Sequence, residues 1–204
     1  MEAQTDFVRK VSDNQKVTGS YLSEHLNMPY TWTNTDTKNA LLASIVPVGI
    51  GLGASLQTIE ASLQTIEGGR YRRHLERSTR PAWANYDAAL FSHMDLLTLS
   101  PLGYASYLVY KNGGGFDYTD TTTALGLFGT SMVLTAAFTP LCDKGTYKGM
   151  AINSALVAAV GSAMFVAFRK IDERASWFVL PYAIWSCIQA VHHFQLLQLN
   201  NRDI

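Results

Sequence analysis

Five stretches of the chain run long without charge, and they limit what it can fold into. Asn39 to Ile59 holds no charged residue in 21 positions; Ala88 to Tyr110 is interrupted only by Asp95; Thr121 to Cys142, Gly149 to Phe168 and Ala175 to Asn201 carry none. At ~1.5 Å of rise per residue, each is long enough as a helix to cross a hydrocarbon layer of ~30 Å. A soluble fold of 204 residues cannot bury five helices that are apolar around their whole circumference. The sequence therefore predicts an all-α membrane protein. Its expected form is a five-transmembrane-helix bundle over 39–204, with helices near 40–67, 88–110, 121–142, 149–168 and 175–199. Average composition conceals this, because 48% hydrophobic and 16% charged residues would also suit a soluble domain. The confinement of charge to the gaps decides the matter.

The gaps carry the expected breakers, "NGGGFDYTD", "DKGTYK" and "RKIDER". With five crossings, Arg70, Arg72, Arg73, Arg77, Arg80, Lys144, Lys148 and Arg202 fall on one side, against Lys38, Lys111, Arg169, Lys170 and Arg174 on the other. That excess assigns the C-terminus to the inside, and the arginine cluster reads as a topology signal beside lipid headgroups. Sixteen basic and sixteen acidic residues balance, which argues against nucleic acid as a partner. Two cysteines, Cys142 and Cys187, give neither a disulfide framework nor a thiolate metal site.

The polar extension, residues 1–38, contains Glu2 and Asp6 and has no apolar core, so it does not read as a cleavable leader. The first apolar stretch leads into a perfect duplication, "ASLQTIE" at Ala54 to Glu60 and again at Ala61 to Glu67. Seven residues make nearly two helical turns, so both copies present almost the same face, with Leu56, Ile59, Leu63 and Ile66 in one stripe. This predicts a helix that outruns the membrane and rests its second half on protein or headgroups. In the fourth stretch Ala151, Ala155, Ala159, Ala163 and Ala167 recur every four residues, a ridge expected to be buried against neighbouring helices.

"GYASYLVYKNGGGF", residues 103–116, resembles the signature of the translocator protein family, also called tryptophan-rich sensory proteins or peripheral benzodiazepine receptors. "RPAW" at 80–83, "ALGLF" at 124–128 and "LPYAIW" at 180–185 are similar to further motifs of that family, in the same order and spacing. The resemblance implies a five-helix membrane protein, often dimeric and mitochondrial in many eukaryotes, with a pocket between helices for porphyrins, sterols and aromatic drugs.

The departures from the family pattern fall on that pocket. Asp95 stands where the family has a tryptophan. Thr135, Ala136, Ala137 and Phe138 replace an Asn-Trp-Ala-Trp run, Met150 replaces another tryptophan, and His192, His193 and Phe194 replace a Leu-Asn-Tyr of the proposed sterol motif. The residual pocket is thereby assigned to Asp95, Thr135, Phe138, Met150, Trp185, Gln189 and His193. Each lost aromatic platform removes on the order of 1 kcal/mol of ring contact, so porphyrin is not expected as a ligand, while a bound lipid or sterol remains compatible. Asp95 is the residue hardest to place in lipid. Either it meets His193, which shares a helix face with Trp185 and Gln189, or it sits near interfacial water. His192 and His193, diverging by about 100° on a helix, do not address one metal together.

No catalytic arrangement stands out, so no enzyme, cofactor or metal is expected. Two functions remain. One is a structural accessory subunit of a mitochondrial, respiratory-type membrane complex, with an eroded pocket and partner subunits held through residues 1–38 and 54–67. The alternative is a sterol- or porphyrin-binding translocator protein of an organellar membrane. The first implies the inner mitochondrial membrane and the second the outer; membrane lipids are partners in both, and a homodimer fits the family.

Overall fold

The structure, a computed structural model, describes residues 32–63, 78–84, 88–144 and 146–200. The expected extension as far as position 31, the second heptad copy beyond Leu63, and the arginines from Arg70 to Arg77 lie outside the described residues. So do the side chains of the predicted stripe from Leu56 to Ile66. The chain divides into two compact units, 1–36 and 37–204.

In the first unit, helix α1 begins. It runs Asn34–Leu63, starting earlier than the expected 40 because Thr33 and Asp36 close a reciprocal cap. The Thr33 N–H donates to Asp36 Oδ2 at 2.7 Å, and the Asp36 N–H donates to Thr33 Oγ1 at 3.2 Å. Two backbone donors at the helix start are satisfied in this way.

In the second unit, the segment expected as one helix over 88–110 is two helices, α2 (Ala88–Leu99) and α3 (Leu102–Asn112). Pro101 is the cause: it has no N–H for the Leu97 carbonyl, and its ring crowds that carbonyl. The Ser100 hydroxyl donates to the Leu97 carbonyl instead, at 3.3 Å. Helix α4 (Thr119–Asp143), α5 (Tyr147–Ile171) and α6 (Glu173–Asn200) follow.

The corners are set by a few residues. Between α3 and α4, Gly114 and Gly115 both take φ of 77°, a left-handed region that side chains disfavour. Between α5 and α6, Asp172 closes one helix and caps the next. Its N–H donates to the Phe168 carbonyl at 2.8 Å, while its Oδ1 accepts from the N–H groups of Arg174 and Ala175 at 2.7 and 3.2 Å. Its Oδ2 accepts from the Asn112 side chain, tying the end of α3 to the same corner.

Helix α6 packs along α5 and also meets α2 and α3, while α4 packs on α5. Leu99, Leu102, Val109, Met132, Met164, Phe168 and Val179 form the centre of the core. Helix α1 approaches closely at two points. A Cβ on Gly103 would lie 2.3 Å from the Ser44 Cα, and one on Gly51 would lie 3.1 Å from the Leu96 Cα, so glycine permits near backbone-to-backbone contact at both.

The alanine ridge of α5 is not buried as expected. Ala151 is buried, but Ala155, Ala159 and Ala163 are exposed; the inward face carries Met150, Asn153, Ser154, Val157, Gly161, Met164 and Phe168. Polar groups that must find partners away from lipid set the rotation of this helix, and the small apolar alanines follow it outward.

The outer surface is apolar along the unit: Leu41, Ile45, Leu97, Val133, Val166 and Ile184 are each more than half exposed. Among the described residues, the helices at Thr119–Cys142 and Tyr147–Ile171 are long and apolar enough to cross a membrane by length and composition. Exposure of this kind suits lipid rather than water.

Candidate functional site

Where α1, α2, α4, α5 and α6 converge they leave a cavity. About 70 Å³ is open to the centre of a water molecule, several times the ~10–15 Å³ that one water needs. Its wall is mixed, with Ile50, Leu99, Phe138 and Val157 supplying apolar surface and Asp95, Thr135, Asn153, Ser154, Gln189 and His193 supplying polar atoms.

Asp95 is fixed by two side chains of α6. The Trp185 indole N–H donates to Asp95 Oδ1 at 2.6 Å, and the Gln189 amide donates to the same oxygen at 2.7 Å. Trp185 and Gln189 are four residues apart and so share a face. Phe91 steadies the indole from the side, with ring centroids 5.6 Å apart. Where the sequence offered His193 or interfacial water for Asp95, the hydrogen bonds to its Oδ1 come from Trp185 and Gln189. His193 lies one turn beyond Gln189, ~6 Å further along the axis, and its Nδ1 is hydrogen-bonded to Ser154 Oγ at 2.8 Å.

A second polar group lies at the cavity wall. The Tyr182 hydroxyl lies 2.6 Å from Ser131 Oγ and 3.0 Å from Thr135 Oγ1, and Thr135 also donates to the Ser131 carbonyl at 2.9 Å. Asn153 donates to the Leu134 carbonyl at 3.0 Å. These bonds link α4 to α5 and α6 and hold the wall in shape.

The two adjacent histidines meet edge-on, with ring centroids 5.2 Å apart, and each packs on aromatic neighbours. His192 is stacked on Phe91 at 4.9 Å and meets Trp83 edge-on at 6.0 Å, while His193 meets Phe138 at 4.9 Å. Trp83, from the segment "RPAW", donates to Gln195 Oε1 at 2.6 Å, and Thr79 and Asn200 exchange two hydrogen bonds nearby. The short 78–84 segment is thereby clamped to the last turns of α6.

Of the residues assigned to the pocket from sequence, Asp95, Thr135, Phe138, Gln189 and His193 line this cavity. Trp185 reaches it through its bond to Asp95. Met150 is buried but does not join the lining; its backbone carbonyl accepts from Ser154 Oγ at 2.8 Å. Asn153, Ser154 and Tyr182 were not assigned to the site from sequence. The signal for the first two was there: they are polar residues in a charge-free stretch, where such groups turn inward.

Comparison with known proteins agrees with this architecture. The sequence matches the TspO/MBR family over residues 40–199. It is 29% identical to the translocator protein of Ovis aries over 102 residues, which is 50% of this chain and 60% of the sheep protein. It is 32% identical to that of Homo sapiens over 87 residues, 42% of this chain and 51% of the human one. With translocator protein 2 of Mus musculus it shares 32% identity over 100 residues, 48% of this chain and 60% of the mouse protein. The chain thus spans between half and three fifths of the length of these curated relatives. The helical unit, its apolar outer surface and the match over most of its length lead to one conclusion: this chain belongs to the TspO/MBR family of membrane proteins.

Proposed function

We propose that the chain is a non-catalytic, ligand-binding member of this family, crossing a mitochondrial membrane five times. Its cavity is lined for a small molecule with a polar head rather than for a flat porphyrin. The observation that carries this reading is Asp95, a carboxylate held at the cavity wall by Trp185 and Gln189. The names of the relatives, translocator proteins, fit a ligand-handling role.

A second reading, an accessory subunit of a respiratory-type complex, is favoured by the duplicated heptad at Ala54 to Glu67 and the polar extension before α1. Native mass spectrometry of the chain, taken from its own membrane in mild detergent, separates the two. A chain alone or as a dimer, carrying a stoichiometric small molecule, supports the first. Stoichiometric foreign subunits around an empty chain would replace it with the second.

A further inference from the structure

The inference here rests on the ligand-binding reading and concerns the chemistry of the head group. Three residues of the cavity wall, Asp95, Asn153 and Gln189, are arranged with the same polarity. Gln189 donates its amide N–H to Asp95 Oδ1, and Asn153 donates its own to the Leu134 carbonyl. A carboxylate and a carbonyl only accept, so both amide orientations are fixed by their partners. Each amide oxygen is then left without a donor among the described residues. The same holds for Asp95 Oδ2, because Trp185 and Gln189 both address Oδ1.

The wall therefore offers acceptor oxygens, one of them on a carboxylate. No lysine or arginine is among the described residues that line the cavity, so none of these supplies an ammonium or guanidinium to meet them. Phe138 and Tyr182 add aromatic rings to the wall, and the faces of such rings attract cations. A neutral ligand with one hydroxyl would leave most of these acceptors unmet, whereas an ammonium carries three N–H donors and the opposite charge.

We propose that the cavity binds a small primary amine in its ammonium form, with the head group on Asp95 Oδ2 and the amide oxygens of Asn153 and Gln189, and its apolar body toward Leu99, Phe138 and Val157. The full chain in lipid nanodiscs, labelled with ¹⁵N at tryptophan, tests this. The indole resonance of Trp185, assigned by its loss in W185F, reports on the oxygen it donates to. Cyclohexylamine and cyclohexanol are the probes, matched in shape and differing in charge and donor number.

The expected result is a saturable shift with the amine, at least about tenfold tighter than with the alcohol, as for a charge-assisted contact. D95N, which keeps an acceptor for Trp185 and Gln189, should reduce that preference to within about threefold. If amine and alcohol bind equally, or if D95N keeps the full preference, the amine assignment fails while the cavity remains a ligand site. If neither probe moves the resonance, the amine assignment fails. If neutral sterol and isoquinoline probes are silent as well, the ligand-binding reading fails with it.

Discussion

Asp95 and Trp185, ninety positions apart in the chain, meet in a hydrogen bond of 2.6 Å that joins α2 to α6 at the cavity wall. The carboxylate stands where the family resemblance leads one to expect a tryptophan, and it presents one oxygen to two donors of α6. Trp185, expected only as a surviving pocket ring, has become the donor that aims it.

Removing the carboxylate without replacing its acceptor should be worse than neutralising it. In D95A the Trp185 and Gln189 donors lose their partner, whereas in D95N the amide oxygen still accepts. We predict that D95A melts below D95N by the equivalent of about 1 kcal/mol, because the two donors are only part-buried and the cavity admits water to them. Thermal unfolding of both variants in one detergent measures the order, and equal midpoints would show that the two bonds contribute nothing to stability.

Porphyrin should bind poorly. By the family resemblance, Asp95, Thr135 and Ala136 stand where aromatic or amide residues are expected, and the open room is small against the several hundred Å³ usual for larger ligands. Titration with protoporphyrin, followed through tryptophan fluorescence, is expected to give no saturable quenching in the low micromolar range. Saturation there would mean that the helices part to admit a flat ligand.

How far the sequence disclosed this arrangement depends on what fixed each feature. Charge-free stretches located the helices, since the cost of lipid-exposed charge acts on composition alone. Asp95 and the face bearing Trp185, Gln189 and His193 were legible from spacing. Their pairing was not, because which turn of α6 lies level with Asp95 depends on how α2 and α6 slide and rotate against each other. The same limit misplaced the alanine ridge: spacing shows that Ala155, Ala159 and Ala163 share a face, but the bonds of Asn153 and Ser154 decide that another face turns inward. Two further features have local sequence signals, the Thr33–Asp36 cap that starts α1 early and Pro101 that divides the second segment.

The crossing of α1 and α3 should not tolerate a side chain. A Cβ at position 103 would lie 2.3 Å from the Ser44 Cα and 2.6 Å from its nitrogen, well inside ordinary contact, and a backbone cannot rotate aside as a side chain can. We predict that G103A destabilises by about 1–3 kcal/mol, as overpacking does, and that G103V does so further. As a control, G126A on α4, where nothing lies within 4 Å of the added carbon, should melt no lower than the parent, since alanine favours a helix interior over glycine by up to about 1 kcal/mol. If G103A melts with the parent, α1 sits farther from α3 than the structure places it.

Deletion of Ala61 to Glu67 tests the duplicated heptad. Seven residues shorten a helix by ~10 Å but turn its remainder by only ~20°, so the junction with whatever follows keeps nearly the same facing. The cavity draws on α1 no later than Ile50, well before the deleted copy. The shortened chain is therefore expected to insert normally and to keep the Trp185 indole resonance in place, because no group around Asp95 has been touched. The duplication would then serve an outside surface: the sequence expectation of one apolar stripe through Leu63 and Ile66 implies cover, since burying such a side chain gains roughly 1.5–3 kcal/mol. If a partner subunit provides that cover, the deletion releases it while ligand binding persists, a pattern visible as loss of the larger assembly in native gels. Partners kept at full occupancy would reduce the repeat to a tolerated insertion, and a displaced Trp185 resonance would show that the far end of α1 supports the cavity after all.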